Sequence, residues 1–255
     1  SSYVEEERGR RISAAKTLIL LEKALRRKGR ILDIGCATGI LLDEAKIRGW
    51  QINGVELSTW AIDYAKKTYG VDVFHGLLKD AKFPNSYFDA VVMKDTIEHL
   101  PDPKATLIEI RRILKPKGIL CINTPSINSL VSKGLKAKWW GIKQSHIFYF
   151  TRSTLFKILD ATGVRPIRCY GSSRTFSLKY WLERFKVYND KIYKFMNFFI
   201  KKLGMENKLI CINFADQIEV FARKSRRLEY IKELESSSQV YKKLKLKTVV
   251  VLPAY

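Results

Sequence analysis

Apolar positions along this chain come in two alternating patterns, short continuous runs and stretches with a three-to-four-residue period. Between residues 10 and 28, Ile12, Ala15, Leu18, Ile19, Leu21 and Leu25 follow the helical period, and Gly29 follows as a stop. Arg30–Ile34 reads as a short buried strand, Ile40–Arg48 as a helix closed by Gly49, and Gln51–Val55 as a second strand. Ser58 is placed to cap a helix running to Lys67, and Val71–Phe74 is a third strand. Phe88–Met93 is a nearly unbroken apolar fourth strand, Asp102-Pro103 opens a helix to Leu114, and Gly118–Asn123 is a fifth strand. Strands alternating with helices in this way predict right-handed βαβ units around a parallel sheet.

The later part of the chain adds a helix over Thr151–Ala161, ended by Gly163, and strands over Arg165–Tyr170 and Ile218–Ala222. Between those strands lies an aromatic and basic insertion, residues 172–213. Trp181, Phe185, Tyr188, Ile192, Phe195, Phe199 and Leu203 fall three or four apart there, with lysines and other charges between them, which predicts one amphipathic helix. Two readings of its apolar stripe stay open: it packs on the domain, or it forms a lid or a contact with a membrane surface. The expected architecture is a doubly wound, Rossmann-like α/β fold. It has a seven-stranded, mostly parallel sheet, an N-terminal helix and a helical insertion before the last strand. Residues 1–224 form this domain, 225–246 a polar linker, and 247–255 one further strand.

Composition refines this picture. With 46% hydrophobic residues in 255 a true core is affordable by size, and no run of about eighteen apolar residues exists to cross a membrane. The opening SSYVEEERGRR is charged, unlike a signal peptide, and begins on Ser1, which points to processing or trimming. Cys36, Cys121, Cys169 and Cys211 are far apart without a C-x-x-C pair, which argues for reduced thiols and a cytoplasmic location rather than a zinc site or a disulfide framework. The net charge of +22 is uneven: residues 133–224 carry 19 Lys/Arg against 6 Asp/Glu. Such a surface suits nucleic acid, anionic lipid or a phosphorylated substrate, and equally a set of solvated lysines.

A strand ending in Asp33, then Gly35-x-x-x-Gly39, then a helix, lets the backbone approach a ligand at a helix N-terminus that favours a carboxylate. The third glycine of a dinucleotide fingerprint is missing around Ile40–Leu42. Glu56 closes the second strand, about twenty residues past the turn, where a carboxylate accepts both ribose hydroxyls.

Residues 30–164 resemble class I S-adenosylmethionine-dependent methyltransferases, most closely the group that includes the ubiquinone-biosynthesis O-methyltransferases. The segments that carry the resemblance are ILDIGCATG, GVELS, FPNSYFDAVVMKDTIEHL, EIRRILKPKGILCINTP and SHIFYFTRSTLFKILDATG, with Trp139-Trp140-Gly141 before the last. The resemblance implies that Asp33, Gly35, Cys36 and Gly39 surround the methionine end of S-adenosylmethionine. By the same resemblance Glu56 and Leu57 bind ribose and adenine edges, Leu77 and Leu78 flank the adenine, and Lys94 and Asp95 lie beside the sulfonium. Ala37 stands where a glycine is usual, and Leu77 where an acidic residue often follows Gly76.

Methyl transfer needs the acceptor lone pair held in line with the methyl group, and a hydroxyl acceptor also needs a base or a metal. Asp95, Glu98 and His99 follow the fourth strand at the carboxyl edge, where such sheets place ligands. The resemblance implies Mg2+ on these three, or His99 as the base; the bland alternative is that Glu98-His99 caps a turn against Pro101. His146 is a second catalytic candidate, and His75 reads as structural.

The tail Thr248–Tyr255 (TVVVLPAY) resembles the first strand of family-2 glycosyltransferases, so a fusion is expected. This points to an acceptor hydroxyl on a saccharide, a lipid-linked glycan or a quinone-like compound, near a membrane. An RNA methyltransferase is the rival suggested by charge, although Asn-Pro-Pro-Tyr after the fourth strand and a Pro-Cys nucleophile are both missing. A non-catalytic module that binds the cofactor structurally is the rival from another class.

Overall fold

The computed structural model describes residues 6–186 and 188–225. The tail and nearly all of the expected linker, residues 226–255, lie outside the described residues. Seven strands form one sheet in the order β3-β2-β1-β4-β5-β9-β6. They are β1 (Arg30–Ile34), β2 (Gln51–Glu56), β3 (Phe74–His75), β4 (Phe88–Lys94), β5 (Leu114–Pro125), β6 (Val164–Gly171) and β9 (Gln217–Lys224). The first five pair in parallel, and β9 runs antiparallel to both β5 and β6, with Cys121 opposite Phe221 and Val220 opposite Cys169.

Period-two alternation divides the central strands between two apolar layers. Leu32, Val91, Met93, Leu120 and Ile122 point to one face, where they meet α4 (Pro103–Ile113) and α6 (Arg152–Ala161). Ile31, Ala90, Val92, Ile119 and Cys121 point to the other, against α1 (Glu7–Leu25) and α2 (Ile40–Ile47). A sheet covered on both faces explains why β4 reads as a continuous apolar run rather than an alternating one. α3 (Thr59–Tyr69) covers a smaller cluster of Cys36, Leu42, Ala65 and Val71. The four cysteines are all free.

Caps follow the sequence closely. Ser58 accepts the Ala61 N–H, Asp102 the Ala105 N–H and Thr151 the Thr154 N–H. Three expectations differ. α1 ends at Arg26 in the left-handed region, not at Gly29. Gly29 is instead needed because the Asp89 carboxylate approaches so closely that an added Cβ would lie 2.2 Å from it. The third strand is only Phe74–His75, because Val71 turns into the apolar cluster under α3.

The third difference is the insertion, which holds more than one helix. It opens with β7 (Arg174–Ser177) paired antiparallel to β8 (Leu209–Ile212) as a separate ribbon. The expected helix is two, α7 (Leu178–Phe185) and α8 (Asp190–Lys202), because Asn189 caps a new start by accepting the Ile192 N–H. Trp181 is buried, but Ile192, Phe195, Phe199 and Leu203 are 44–66% exposed. The stripe packs on the domain only in its first turns.

α1 lies against β7 so closely that a Cβ on Gly9 would sit 2.0 Å from the Thr175 carbonyl oxygen. Helix propensity alone favours Gly9→Ala by about 1 kcal/mol. The steric conflict is with backbone and outweighs it, so G9A loses about 1–2 kcal/mol net. Thermal unfolding should show a lower midpoint for G9A; a higher one would contradict this packing.

Candidate active site

The strand order reverses between β1 and β4, the switch point at which open α/β sheets hold ligands beyond their carboxyl ends. A cavity of about 380 Å3 opens there. Its floor begins at the turn after β1. Gly35 has φ +70° and an added Cβ would be 2.7 Å from Thr96 Oγ1; Gly39 has φ +79° and would meet the Ala65 methyl at 2.9 Å. Only glycine fits either place. Ala37 takes a left-handed φ of 47° between them, so the usual glycine is replaced at the cost of some backbone strain.

Glu56 leans back from β2 onto this turn. One carboxylate oxygen accepts the Ala37 N–H at 2.8 Å and the other accepts the N–H groups of Leu57 (2.8 Å) and Ser58 (2.9 Å). A carboxylate offers about four lone-pair positions, so a ribose diol must use the remaining one or displace Ala37.

From β4 come Lys94, Asp95, Glu98 and His99. Asp95 has φ 49°, and its carboxylate accepts a 2.8 Å hydrogen bond from Gln217 Nε2 at the start of β9. The Glu98 carbonyl accepts the N–H groups of Ile147 and Phe148, which folds the 141–148 segment back over β4 and brings His146 to His99. The two imidazoles meet edge to face, 4.7 Å between centroids. His99 Nδ1 lies 2.7 Å from the Ser145 carbonyl oxygen. A carbonyl only accepts, so Nδ1 carries the proton, and Nε2 of the neutral ring keeps its lone pair.

Burial sets the charge states. It pushes the Asp33 carboxyl up to about 7, against the pull of Lys94 and with help from Glu56. Burial and then Asp95 push Glu98 up to about 8. Burial, His99 and Lys143 press His146 down to about 4. Near neutrality the site therefore holds a neutral His146 beside a largely protonated Glu98.

The expected residues divide as follows. Asp33, Gly35, Cys36, Lys94, Asp95, Glu98, His99 and His146 all line the cavity. Gly39, Glu56, Leu57, Leu77 and Leu78 lie outside its lining. Leu78 is buried in the main core with Val55 and Ile97, and Leu57 is 60% exposed. A carboxylate does stand near Leu77: Asp80 accepts its N–H at 3.3 Å. His75 Nε2 lies 3.1 Å from the Leu57 carbonyl, a structural tie between β3 and the end of β2.

The structure brings a different trio of donors together from the expected Asp95, Glu98 and His99. The donor atoms lying within 4.8 Å of one another belong to Glu98, His99 and His146, not to Asp95, which Gln217 holds. Glu98 Oε1 and His146 Nδ1 are buried with no hydrogen-bond partner among the described residues. One carboxylate and two imidazoles fit a borderline dication such as Zn2+ or Fe2+ rather than Mg2+, which takes oxygen ligands.

Residues 4–168 match the model of a family described as a methyltransferase domain. The chain belongs to this methyltransferase domain family. The methyltransferase is 27% identical over 188 residues to a ubiquinone biosynthesis O-methyltransferase of Coxiella burnetii, covering 63% of this chain and 79% of that protein. It is 32% identical over 105 residues to the mitochondrial ubiquinone biosynthesis O-methyltransferase of Schizosaccharomyces pombe, 38% of each chain. A crystal structure of a SAM-dependent methyltransferase from Archaeoglobus fulgidus aligns with 88% of the chain and all of its own, with TM-score 0.58 and 21% identity, a likeness of fold. The protein is thus an S-adenosylmethionine-dependent enzyme.

Cavity residues missed from the sequence come mostly from outside the common core: Arg10 and Ser13 on α1, and Arg174, Phe176, Tyr180 and Arg184 in the insertion. Nothing in the spacing of Arg10 distinguishes it from its basic neighbours.

Asp33 carries a pH signature. Its folded value of about 7 exceeds its ordinary 3.8, so the stability it contributes is complete below about 3.8 and is lost as pH rises toward 7. Asn cannot ionise. The stability of D33N relative to the parent should therefore rise between pH 4 and 7 and level off above; a pH-independent difference in unfolding midpoint would contradict the buried carboxyl.

Proposed function

We propose that the enzyme methylates a hydroxyl group of a small or lipid-linked acceptor, with His99 as the base. The observation that carries this reading is the Ser145 carbonyl on His99 Nδ1, which fixes the tautomer with Nε2 available in the cavity. The hydroxyl gives its proton to Nε2 as its oxygen bonds to the methyl carbon. The carbon–sulfur bond breaks, its electron pair returns to sulfur, and the charge lost from the sulfonium appears as imidazolium. Asp33 and the Gly35–Gly39 turn hold the amino-acid end of the cofactor, Glu56 the ribose, and Asp95 the edge beside the sulfonium. His146, kept neutral, packs against His99 and keeps its ring in place. A dication held by Glu98, His99 and His146 would take the His99 Nε2 lone pair, and would then lower the pKa of the hydroxyl in place of the base.

The names of the Coxiella and fission-yeast relatives support oxygen as the atom methylated. A cavity walled on one side by the 141–148 segment and the insertion favours a small acceptor over RNA. His99→Gln and Glu98→Ala should each lower turnover by about 10²-fold or more while the calorimetric Kd for S-adenosylmethionine stays within about twofold. Equal loss of cofactor affinity would remove both residues from the acceptor side.

A lipid-linked acceptor is favoured by α8. Ile192, Phe195, Phe198 and Phe199 stand exposed there, with Lys191, Lys194, Lys201 and Lys202 on the same helix. No helix among the described residues is long and apolar enough to cross a membrane, so contact would be peripheral. The enzyme should cosediment with phosphatidylglycerol vesicles and not with phosphatidylcholine, and F195S/F199S should abolish this. Retention by the double variant would contradict the assignment of α8.

A further inference from the structure

One wall of the cavity is basic in a way that catalysis does not use. Arg10 of α1 lies over the Phe176 ring, 5.5 Å from its centroid. The Phe176 and Tyr180 rings lie 4.2 Å apart between centroids, tilted by 41°. Arg184 lies over the Tyr180 ring at 4.9 Å and donates to its hydroxyl. All four side chains line the cavity. The result is a ladder of guanidinium, ring, ring and guanidinium, built from α1, β7 and α7.

Aromatic rings position a guanidinium without neutralising it. Among the described residues no carboxylate lies within ion-pair distance of Arg184, and Lys143 at the same cavity is likewise without one. Arg174 differs: it pairs with Asp216 at 3.5 Å, a carboxylate that also takes hydrogen bonds from the indoles of Trp139 and Trp140. Arg174 and Asp216 thus hold the cavity rim to the 139–140 segment, and the charge left to offer is that of Arg184 and Lys143. Ser172 and Ser173 add hydroxyl groups beside them. S-adenosylmethionine adds a further net positive charge when bound. A neutral acceptor would leave these charges without a counter-charge, whereas a tetrahedral dianion offers several acceptor oxygens to guanidinium forks and hydroxyls at once.

We propose that this ladder is an anion subsite that holds a phosphoryl group of the acceptor while its hydroxyl faces His99. The proposal rests on the acceptor-side reading given above and deepens it to a class: a phosphorylated small molecule, or the phosphoryl head of a lipid-linked one. The rings then act as a rigid mount for two arginines, and Tyr180 contributes through Arg184.

Binding tests this without turnover. The full chain is saturated with S-adenosylhomocysteine and titrated calorimetrically with glucose 1-phosphate, inorganic pyrophosphate, glucose, glucuronate and a ten-nucleotide RNA. Glucose 1-phosphate and pyrophosphate should bind, and glucose should not. R184Q should weaken both phosphoryl probes by about tenfold or more, equivalent to about 1.4 kcal/mol, and R184K should recover part of the loss. The Kd for S-adenosylhomocysteine should stay unchanged in both variants, which separates loss of the subsite from misfolding. Absence of phosphoryl binding, equal binding by R184Q, or glucuronate binding as tight as glucose 1-phosphate would overturn the proposal. Arg184-dependent RNA binding that glucose 1-phosphate does not displace would overturn it in favour of nucleic acid. A failure of the His99 and Glu98 variants to lose turnover leaves these binding results standing, so the two readings fail separately.

Discussion

A single ammonium group ties the catalytic edge together. Lys94 Nζ, at the end of β4, donates to Thr17 Oγ1 of α1 at 2.8 Å and pairs with Glu219 of β9 at 3.3 Å, while Thr17 donates to Glu219 at 3.1 Å. Burial pulls the lysine down, but Glu219 and its neighbours outweigh that and hold it charged. A charge taken mostly out of water is tolerated best while its partners stay in place. Three segments distant in sequence are therefore fixed to one point under the cavity. α1 is held across the sheet edge, which carries Ser13 and Arg10 into the lining. β9 is held in its antiparallel register, which brings Gln217 to Asp95.

The fold was largely legible in the sequence because its core is periodic. A sheet covered on both faces writes itself as apolar runs, and caps such as Ser58, Asp102 and Thr151 write the helix starts. The failures were at places where no period exists. Gly29 looked like a helix stop and is a contact surface for Asp89. The ribbon of β7 and β8 is short and half-exposed, and its strands carry no alternation strong enough to stand out from an aromatic insertion. The break between α7 and α8 depends on Asn189 capping a second start within a stripe whose spacing reads as continuous.

Of the candidate site, the part on the sheet edge was legible: Asp33 and Gly35, expected from the glycine turn, do line the cavity, whereas Glu56 lies outside the lining. His99 and His146, 47 positions apart, meet only because the Glu98 carbonyl binds the backbone of residues 147 and 148, and a backbone hydrogen bond leaves no mark in the side-chain sequence. Hence the sequence groups Asp95 with Glu98 and His99, whereas the fold groups His146 with them. The basic wall was hidden for the same reason: the wide surplus of lysine and arginine conceals the few whose charge is held by rings at the cavity. The residues proposed for the donor thus lie on the regular sheet edge, and those proposed for the acceptor lie partly there and partly on the loop and insertion beside it.

The central claim is that the donor lies along the edge of β1, β2 and β4 with its sulfur facing His99. A crystal structure with S-adenosylhomocysteine tests it most directly. The account predicts the ribose diol on Glu56, with the Ala37 N–H released or shared, the amino-acid end against Asp33 and the 35–39 turn, and the sulfur on the His99 side of Asp95. A cofactor bound elsewhere, or one whose sulfur is screened from the two imidazoles with Glu56 still closed on Ala37, would contradict it.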